Sequence, residues 1–153
     1  MPRRYRLRGP LESKVQRAIL DALGWPEREP WPDKHGKPVF LKSGALRMRD
    51  VGIWRSRGGD MFWRANSGGG KNAAGFRVKG NPAGTADIIG IVCGRIVALE
   101  VKRDESSKQS ANQKRWQRWC EAAGGTYAVV RSPSEARAVV DELRARAAQE
   151  AAQ

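Results

Sequence analysis

The most strongly patterned stretch of the chain is Ala86-Asp-Ile-Ile-Gly-Ile-Val-Cys-Gly-Arg-Ile-Val-Ala-Leu-Glu-Val-Lys102. Two runs rich in β-branched residues, 86–92 and 95–101, flank Cys93-Gly94, and a two-residue connection with Gly signals a β-hairpin. A turn centred there sets Val92 opposite Arg95, Ile91 opposite Ile96 and Asp87 opposite Glu100. Opposed residues project from one face, with Cβ atoms ~4.5–5.5 Å apart. Lys102 lies two residues beyond Glu100 and shares that face. Ile88, Gly90, Val92, Val97, Leu99 and Val101 take the other face, all apolar or Gly. Both faces of the hairpin are therefore expected to be covered, with an ionisable trio at one sheet end. An odd loop or a bulge would break this register.

Downstream, Ser110-Ala-Asn-Gln113 has capping-box form and opens a helix running to about 123, stopped by Gly124-Gly125. Residues 126–131 form another strand. Ser132-Pro-Ser-Glu135 is a second capping box and starts a helix to about 150. A strand, a helix and a strand in succession imply a parallel pair with a right-handed crossover. Upstream, Gly9-Pro10 opens a helix with an apolar stripe of Leu11, Val15, Ala18, Ile19, Ala22 and Leu23, ended by Gly24. Residues 61–64 form a strand, followed by a Gly-rich loop at 67–75. Residues 25–60 hold four prolines with Trp25 and Trp31 and predict an irregular, aromatic-pinned segment with short strands at 37–41 and 51–54. The fold class is α/β: a mixed β-sheet flanked by helices.

The chain of 153 residues suits a single domain at 10–153 behind a basic arm at 1–9. Its longest uncharged apolar run, 88–94, is too short to cross a bilayer. No apolar segment follows the basic N-terminus, so no secretory signal is expected. Cys93 and Cys120 sit in patterned segments and read as reduced core residues of a cytoplasmic protein. The net charge is +13, of which residues 1–80 contribute +11. A field this asymmetric suits a polyanion, nucleic acid first, over a merely basic soluble protein.

Two carboxylates as close as Asp87 and Glu100 repel each other, and burial raises the cost of ionising both. A divalent cation relieves this, and carboxylate oxygens with a backbone carbonyl and waters suit Mg²⁺ or Mn²⁺. Lys102 beside it can orient or deprotonate a water, or neutralise a phosphodiester transition state. The competing structural reading is a cross-strand Asp–Lys or Glu–Lys pair at a solvated strand end.

Gly84-Thr-Ala-Asp87, the hairpin and Glu100-Val-Lys102 resemble the PD-(D/E)XK nuclease signature. The similarity is closer still to its VRR-NUC branch, through Glu12-Ser-Lys-Val-Gln16, Trp63-Arg-Ala-Asn-Ser-Gly68 and Gln113. It spans residues 11–24 and 61–131. Two features depart from the pattern: Ala86 stands where the family often has Pro, and residues 25–60 look like an insertion. The resemblance implies a PD-(D/E)XK-type core and a Mg²⁺- or Mn²⁺-dependent DNA endonuclease leaving 5′-phosphate and 3′-hydroxyl ends. It further implies a homodimer acting on branched DNA such as four-way junctions, in a bacterial or phage-infected cell. The ion would be held by Asp87, Glu100 and the carbonyl of Val101, with Lys102, Glu12 and Gln113 completing the catalytic set. A non-catalytic DNA-binding or packaging protein on the same fold is the alternative from another class.

The supporting candidates have bland readings too. Glu12 favours the helix dipole from the first turn, yet it falls inside the apolar stripe, where a carboxylate wants a partner. Gln113 serves equally as the capping-box glutamine. Trp116 and Trp119 read as core before base-stacking platforms, and Lys114, Arg115 and Arg118 as a solvated face or phosphate contacts. His35 is the only histidine, so a His-based zinc or acid–base site is unsupported. Residues 67–72 lack the spacing of a phosphate-binding Walker loop. DNA contacts are assigned to Arg3, Arg4, Arg6, Arg8, Arg64, Asn66, Lys71, Lys114 and Arg115.

The arm gives a direct test. Each neutralised phosphate adds roughly 0.9 to the slope of log K against log salt, so deleting residues 2–8 should lower that slope by about 2 to 4 while barely changing thermal stability. Binding titrations on one DNA junction in Ca²⁺, across several salt concentrations, measure this; an unmoved slope makes the arm a solubilising tail.

Overall fold

The computed structural model describes residues 12–65, 70–71, 75–78 and 80–153, with backbone alone at 12, 70–71 and 77–78. The elements run α1 (Glu12–Leu23), β1 (Trp25–Pro30), β2 (Met48–Arg55), β3 (Met61–Arg64), β4 (Gly70–Lys71), β5 (Arg77–Val78), β6 (Ile88–Val92), β7 (Arg95–Val101), α2 (Ala111–Ala122), β8 (Thr126–Val130) and α3 (Pro133–Ala151). Six strands make one mixed sheet in the order β1-β2-β3-β6-β7-β8. Every neighbouring pair is antiparallel except β7 and β8, which α2 connects as the crossover. The fold is thus α/β, as the strand–helix–strand succession predicts. Among the described residues no helix is long and apolar enough to cross a membrane.

The hairpin register is the predicted one: Val92 pairs with Arg95, Ile91 with Ile96 and Ile88 with Leu99. Cys93 and Gly94 both take positive φ, +48° and +76°, the signature of a tight turn that follows the strand twist. Cys93 is therefore an exposed turn residue and not core, while Cys120 is buried as expected. Both are free thiols.

Two layers of apolar side chains sandwich the sheet. On one face Ile19, Leu20 and Leu23 of α1 and Val140 and Leu143 of α3 meet Phe62, Ile88, Val97, Leu99 and Val130. On the other, Cys120 and the half-buried Trp116 of α2 meet Ile89, Ala98 and Tyr127. The buried stripe of α1 is rotated from the expected one: Gln16 and Leu20 are inside and Ala18 is exposed. The difference is a matter of polarity, since an apolar pattern does not count a glutamine as interior. Trp119 is also a correction, being 58% exposed with the Arg115 guanidinium 5.3 Å from its ring.

Residues 25–60 are more regular than their prolines suggest. β1 and β2 pair across a bulge between Pro26 and Arg28 and extend the sheet at its edge. The expected strand at 37–41 is absent; that region holds only the bridges Pro32–Pro38 and Phe40–Leu46. Gly24 makes the entry possible, because a Cβ there would lie 2.4 Å from the Arg55 carbonyl oxygen. The short strand β4 lies in the Gly-rich loop and pairs with β5 just beyond it. Both capping serines do cap, but Glu135 turns its carboxylate to the Arg131 amide instead of closing the second box.

Gly90 shows how tight the sandwich is. It pairs with Phe62, and a Cβ there would sit 2.4 Å from the Phe62 ring. Gly90→Ala should cost about 1–3 kcal/mol by overpacking. Urea unfolding checks this, and an unchanged midpoint would show that the ring yields freely.

Candidate functional site

The site is built where the hairpin leaves the sheet. Asp87 directly precedes β6 and Glu100 is the next-to-last residue of β7, so continuing the β6–β7 register sets them opposite each other. The Asp87 carboxylate accepts a hydrogen bond from the Val101 amide at 2.8 Å, which clamps it to the end of β7. The Asp87 carbonyl accepts from the Ala65 amide at 2.9 Å, extending the β3 pairing by one step. Ahead of it, Thr85 folds back on the Pro82 carbonyl, and Gly84 (φ +89°) lies against the first turn of α2. A Cβ on Gly84 would meet the Asn112 carbonyl at 2.3 Å, so the loop and the helix can approach only with glycine there.

Glu100 is 1% exposed, and its carboxylate is enclosed by donors. Lys102 Nζ lies 2.8 Å from Oε1. Gln113 Nε2 donates to the same oxygen, and the Tyr127 hydroxyl reaches Oε2 at 3.4 Å. Gln113 is the capping-box glutamine and also touches the ionisable trio: its Oε1 accepts from the Ser110 amide at 2.7 Å, closing the capping box, and from Lys102 Nζ at 3.2 Å. The start of α2 therefore fixes the glutamine that holds the lysine and the glutamate. Burial pushes the Glu100 carboxyl up from its usual pKa; the Asp87 charge adds to the shift, and Lys102 and Tyr127 oppose it. Burial likewise pushes the Tyr127 phenol up, so it stays a neutral donor.

Tyr127 belongs to none of the motifs, and Gln16, which closes the first-helix motif, has no site role assigned from the sequence. Tyr127 is two residues from Val129, the β8 partner of Glu100, and so shares the Glu100 face. Alternation along the parallel strand is the signal that points to it. Its ring packs against Trp116 at 6.0 Å between centroids. Gln16, buried on α1, accepts from the Arg64 guanidinium and ties that helix to β3.

The other expected residues divide. Arg64 is exposed but engaged by Gln16, and Lys114 and Arg115 lie exposed in the first turn and a half of α2. Arg3, Arg4, Arg6, Arg8 and Asn66 lie outside the described residues, as do the side chains of Glu12 and Lys71. Glu12 opens α1, one turn before Gln16. Among the described residues no group of three or more His, Cys, Asp or Glu gathers to hold a metal. The donor chemistry of Asp87 and Glu100 nevertheless fits a hard divalent cation: the oxygens are carboxylate, and the Asp87 charge raises the cost of ionising Glu100. Comparison of the chain with protein-family models, with curated proteins and with solved structures gives no match.

The raised Glu100 carboxyl has a consequence for stability. A carboxyl that is harder to ionise in the fold contributes stability at low pH and loses it as pH rises past the ordinary carboxylate range towards its raised folded value. Glu100→Gln keeps the neutral form at every pH. In EDTA its melting temperature, relative to wild type, should rise from pH 4 to pH 8. A relative fall over that range would mean that the Lys102 ion pair outweighs burial.

Proposed function

We propose that the chain is a divalent-metal-dependent DNA endonuclease of PD-(D/E)XK type. The observation that carries this reading is the meeting of Asp87, Glu100 and Lys102 at one sheet end, with Glu100 buried. A protein that only binds DNA gains nothing from carboxylates turned towards phosphate, whereas hydrolysis of a phosphodiester needs a place to hold a cation and a water. The net charge of +13 supports a polyanionic substrate.

Asp87, Glu100 and the Val101 carbonyl would hold Mg²⁺ or Mn²⁺. When bound, the ion would polarise the phosphate and lower the pKa of a water. The protein residues do the rest. The Val101 amide fixes Asp87. Gln113 and Tyr127 keep the Glu100 carboxylate in place, and Gln113 also holds the Lys102 ammonium. Lys102 is then poised to orient the attacking water and to offset the charge that grows on phosphorus oxygens. The water adds to phosphorus and the P–O3′ bond breaks, leaving 5′-phosphate and 3′-hydroxyl ends. A branched substrate such as a four-way junction, a homodimeric assembly and a place in bacterial or phage DNA repair rest on the family resemblance alone.

Plasmid and junction cleavage in Mg²⁺ against EDTA tests the reading. Wild type should cut only with the metal. Lys102→Ala and Glu100→Gln should each reduce cutting by at least about a hundredfold, the lower range for one positioned catalytic group. Lys102→Ala should keep DNA affinity within a few-fold, being one of 29 basic residues. Full activity of either purified variant removes the site, and a wild-type chain that binds but never cuts favours the non-catalytic alternative.

A further inference from the structure

The segment that the nuclease reading does not use is the excursion between β1 and β2. Residues 31–47 add almost nothing to the core, yet they are held by backbone hydrogen bonds. Trp31 donates to the Arg47 carbonyl at 2.8 Å and accepts from Val39 at 3.1 Å, and Arg47 donates to Val39 at 2.8 Å. Two tight turns follow from this weave. One closes through Asp33, which accepts from the His35 and Lys37 amides at 2.7 and 2.9 Å. The other closes between Leu41 and Ala45 at 2.7 Å. Gly36 and Gly44 take the positive φ that the two turns require.

An ordered element of this kind ordinarily hides its apolar residues. This one displays them: Phe40 is 63% exposed, Leu41 51% and Trp31 41%. Basic side chains surround them. Lys34 and Lys37 lie on the first turn, Lys42 on the second, and the Arg47 and Arg49 guanidiniums lie 4.7 and 5.7 Å from the Trp31 ring. Among the described residues Lys34, Lys37, Lys42 and Arg47 form no ion pair, whereas Arg28, Arg49 and Arg55 nearer the sheet each do. Exposed aromatic surface ringed by such cations is the chemistry of nucleic-acid binding.

The register places this ribbon beside the carboxylates. Antiparallel pairing sets Ile53 of β2 level with Trp63, Trp63 level with Ile89 and Ile89 level with Ala98, two residues short of the Asp87–Glu100 row. β1 and β2 continue past that level, towards residues 31–47. Three strand spacings, about 14 Å, separate β2 from β7. That lateral separation lies within the width of a duplex, so one nucleic acid can span both. Between them Val51, Ile53, Met61, Trp63 and Arg64 line an open groove of about 520 Å³ on the sheet surface. The edge itself resists pairing with a second copy. β1 carries Pro26, Pro30, a bulge and the charged run Glu27-Arg28-Glu29, all of which blunt strand addition.

We propose that residues 31–47 are a second nucleic-acid contact, in which Phe40 and Leu41 wedge against an unstacked base step while Lys34, Lys37, Lys42 and Arg47 take the flanking phosphates. Driving an apolar wedge into a stacked step costs unstacking energy, and a step already open at a branch spares that cost, so the ribbon favours branch points over continuous duplex. The inference rests on the nuclease reading only for the polymer, not for the cutting.

The test uses the full chain in Ca²⁺, with a fluorescent four-way junction carrying 2-aminopurine at the branch and a linear duplex of the same sequence. Phe40→Ala/Leu41→Ala should weaken junction binding about tenfold or more, the scale of one base stacked on an aromatic side chain. Duplex binding should change by less than about threefold, and the 2-aminopurine signal rise should disappear. Lys34→Ala/Lys37→Ala/Lys42→Ala should lower the salt slope by about 2 to 3 on both DNAs. Because these side chains lie outside the core, unchanged melting temperatures confirm that each variant folds. Unaltered affinity, slope and fluorescence in a chain that binds DNA overturn the proposal. So does a shift from dimer to monomer in sedimentation with DNA affinity unchanged, which would assign the surface to a second copy. Wild-type cutting in Mg²⁺ is read separately: the nuclease reading fails if the junction stays whole, and the ribbon fails if binding in Ca²⁺ is indifferent to it.

Discussion

The turn at Cys93-Gly94 determines which residues of β6 and β7 stand opposite one another, and the far end of the sheet depends on it. With both turn residues at positive φ, the strands leave in register, and each step of pairing carries that register towards Asp87 and Glu100. A slip of one residue would exchange the faces, turning Glu100 in among Ile19, Phe62 and Val140 and Leu99 out towards the α2 side. The apolar face against α1 and α3 therefore enforces the position of the carboxylates on the opposite face. Gly90 belongs to the same constraint, because its missing side chain leaves room for the Phe62 ring.

The site departs from the logic of the core around it. A glutamate at 1% exposure is costly to ionise, and Asp87 makes it costlier. The surroundings show compensation: a lysine, a glutamine and a tyrosine all donate to this one carboxylate. Gln113 is held by the capping geometry of α2, so the helix start and the site stand or fall together. A buried charge so fully provided with donors is the kind of local conflict that functional sites retain.

Much of this is legible in the sequence because it rests on local rules. The two-residue turn, the alternation of β6 and β7, the Ser110 cap and the crossover to β8 each follow from neighbouring residues. What is not legible depends on tertiary context. Prolines suggest irregularity at 25–60, but Pro26 and Pro30 are tolerated because β1 is an edge strand. Gln16 gives no apolar signal, though it is buried through its bond to Arg64, 48 residues away. Tyr127 can be placed beside Glu100 only once the parallel register is known. Cys93 and Trp119 read as interior from their residue types, while the turn and the outer side of α2 expose them.

The proposed role of the sheet end at Asp87 and Glu100 is to take a divalent cation. Titration of the ¹⁵N-labelled chain with substoichiometric Mn²⁺ tests it most directly, since paramagnetic broadening falls steeply with distance from the ion. With the ion at that sheet end, the Ile88, Val101 and Lys102 amide signals and the Gln113 side-chain amide should be lost early. Signals from Gly59 and Gly94, at the opposite end of the sheet, should persist. Early loss at the surface acids Asp104 and Glu105 instead, with the Gln113 side chain unaffected, would contradict it.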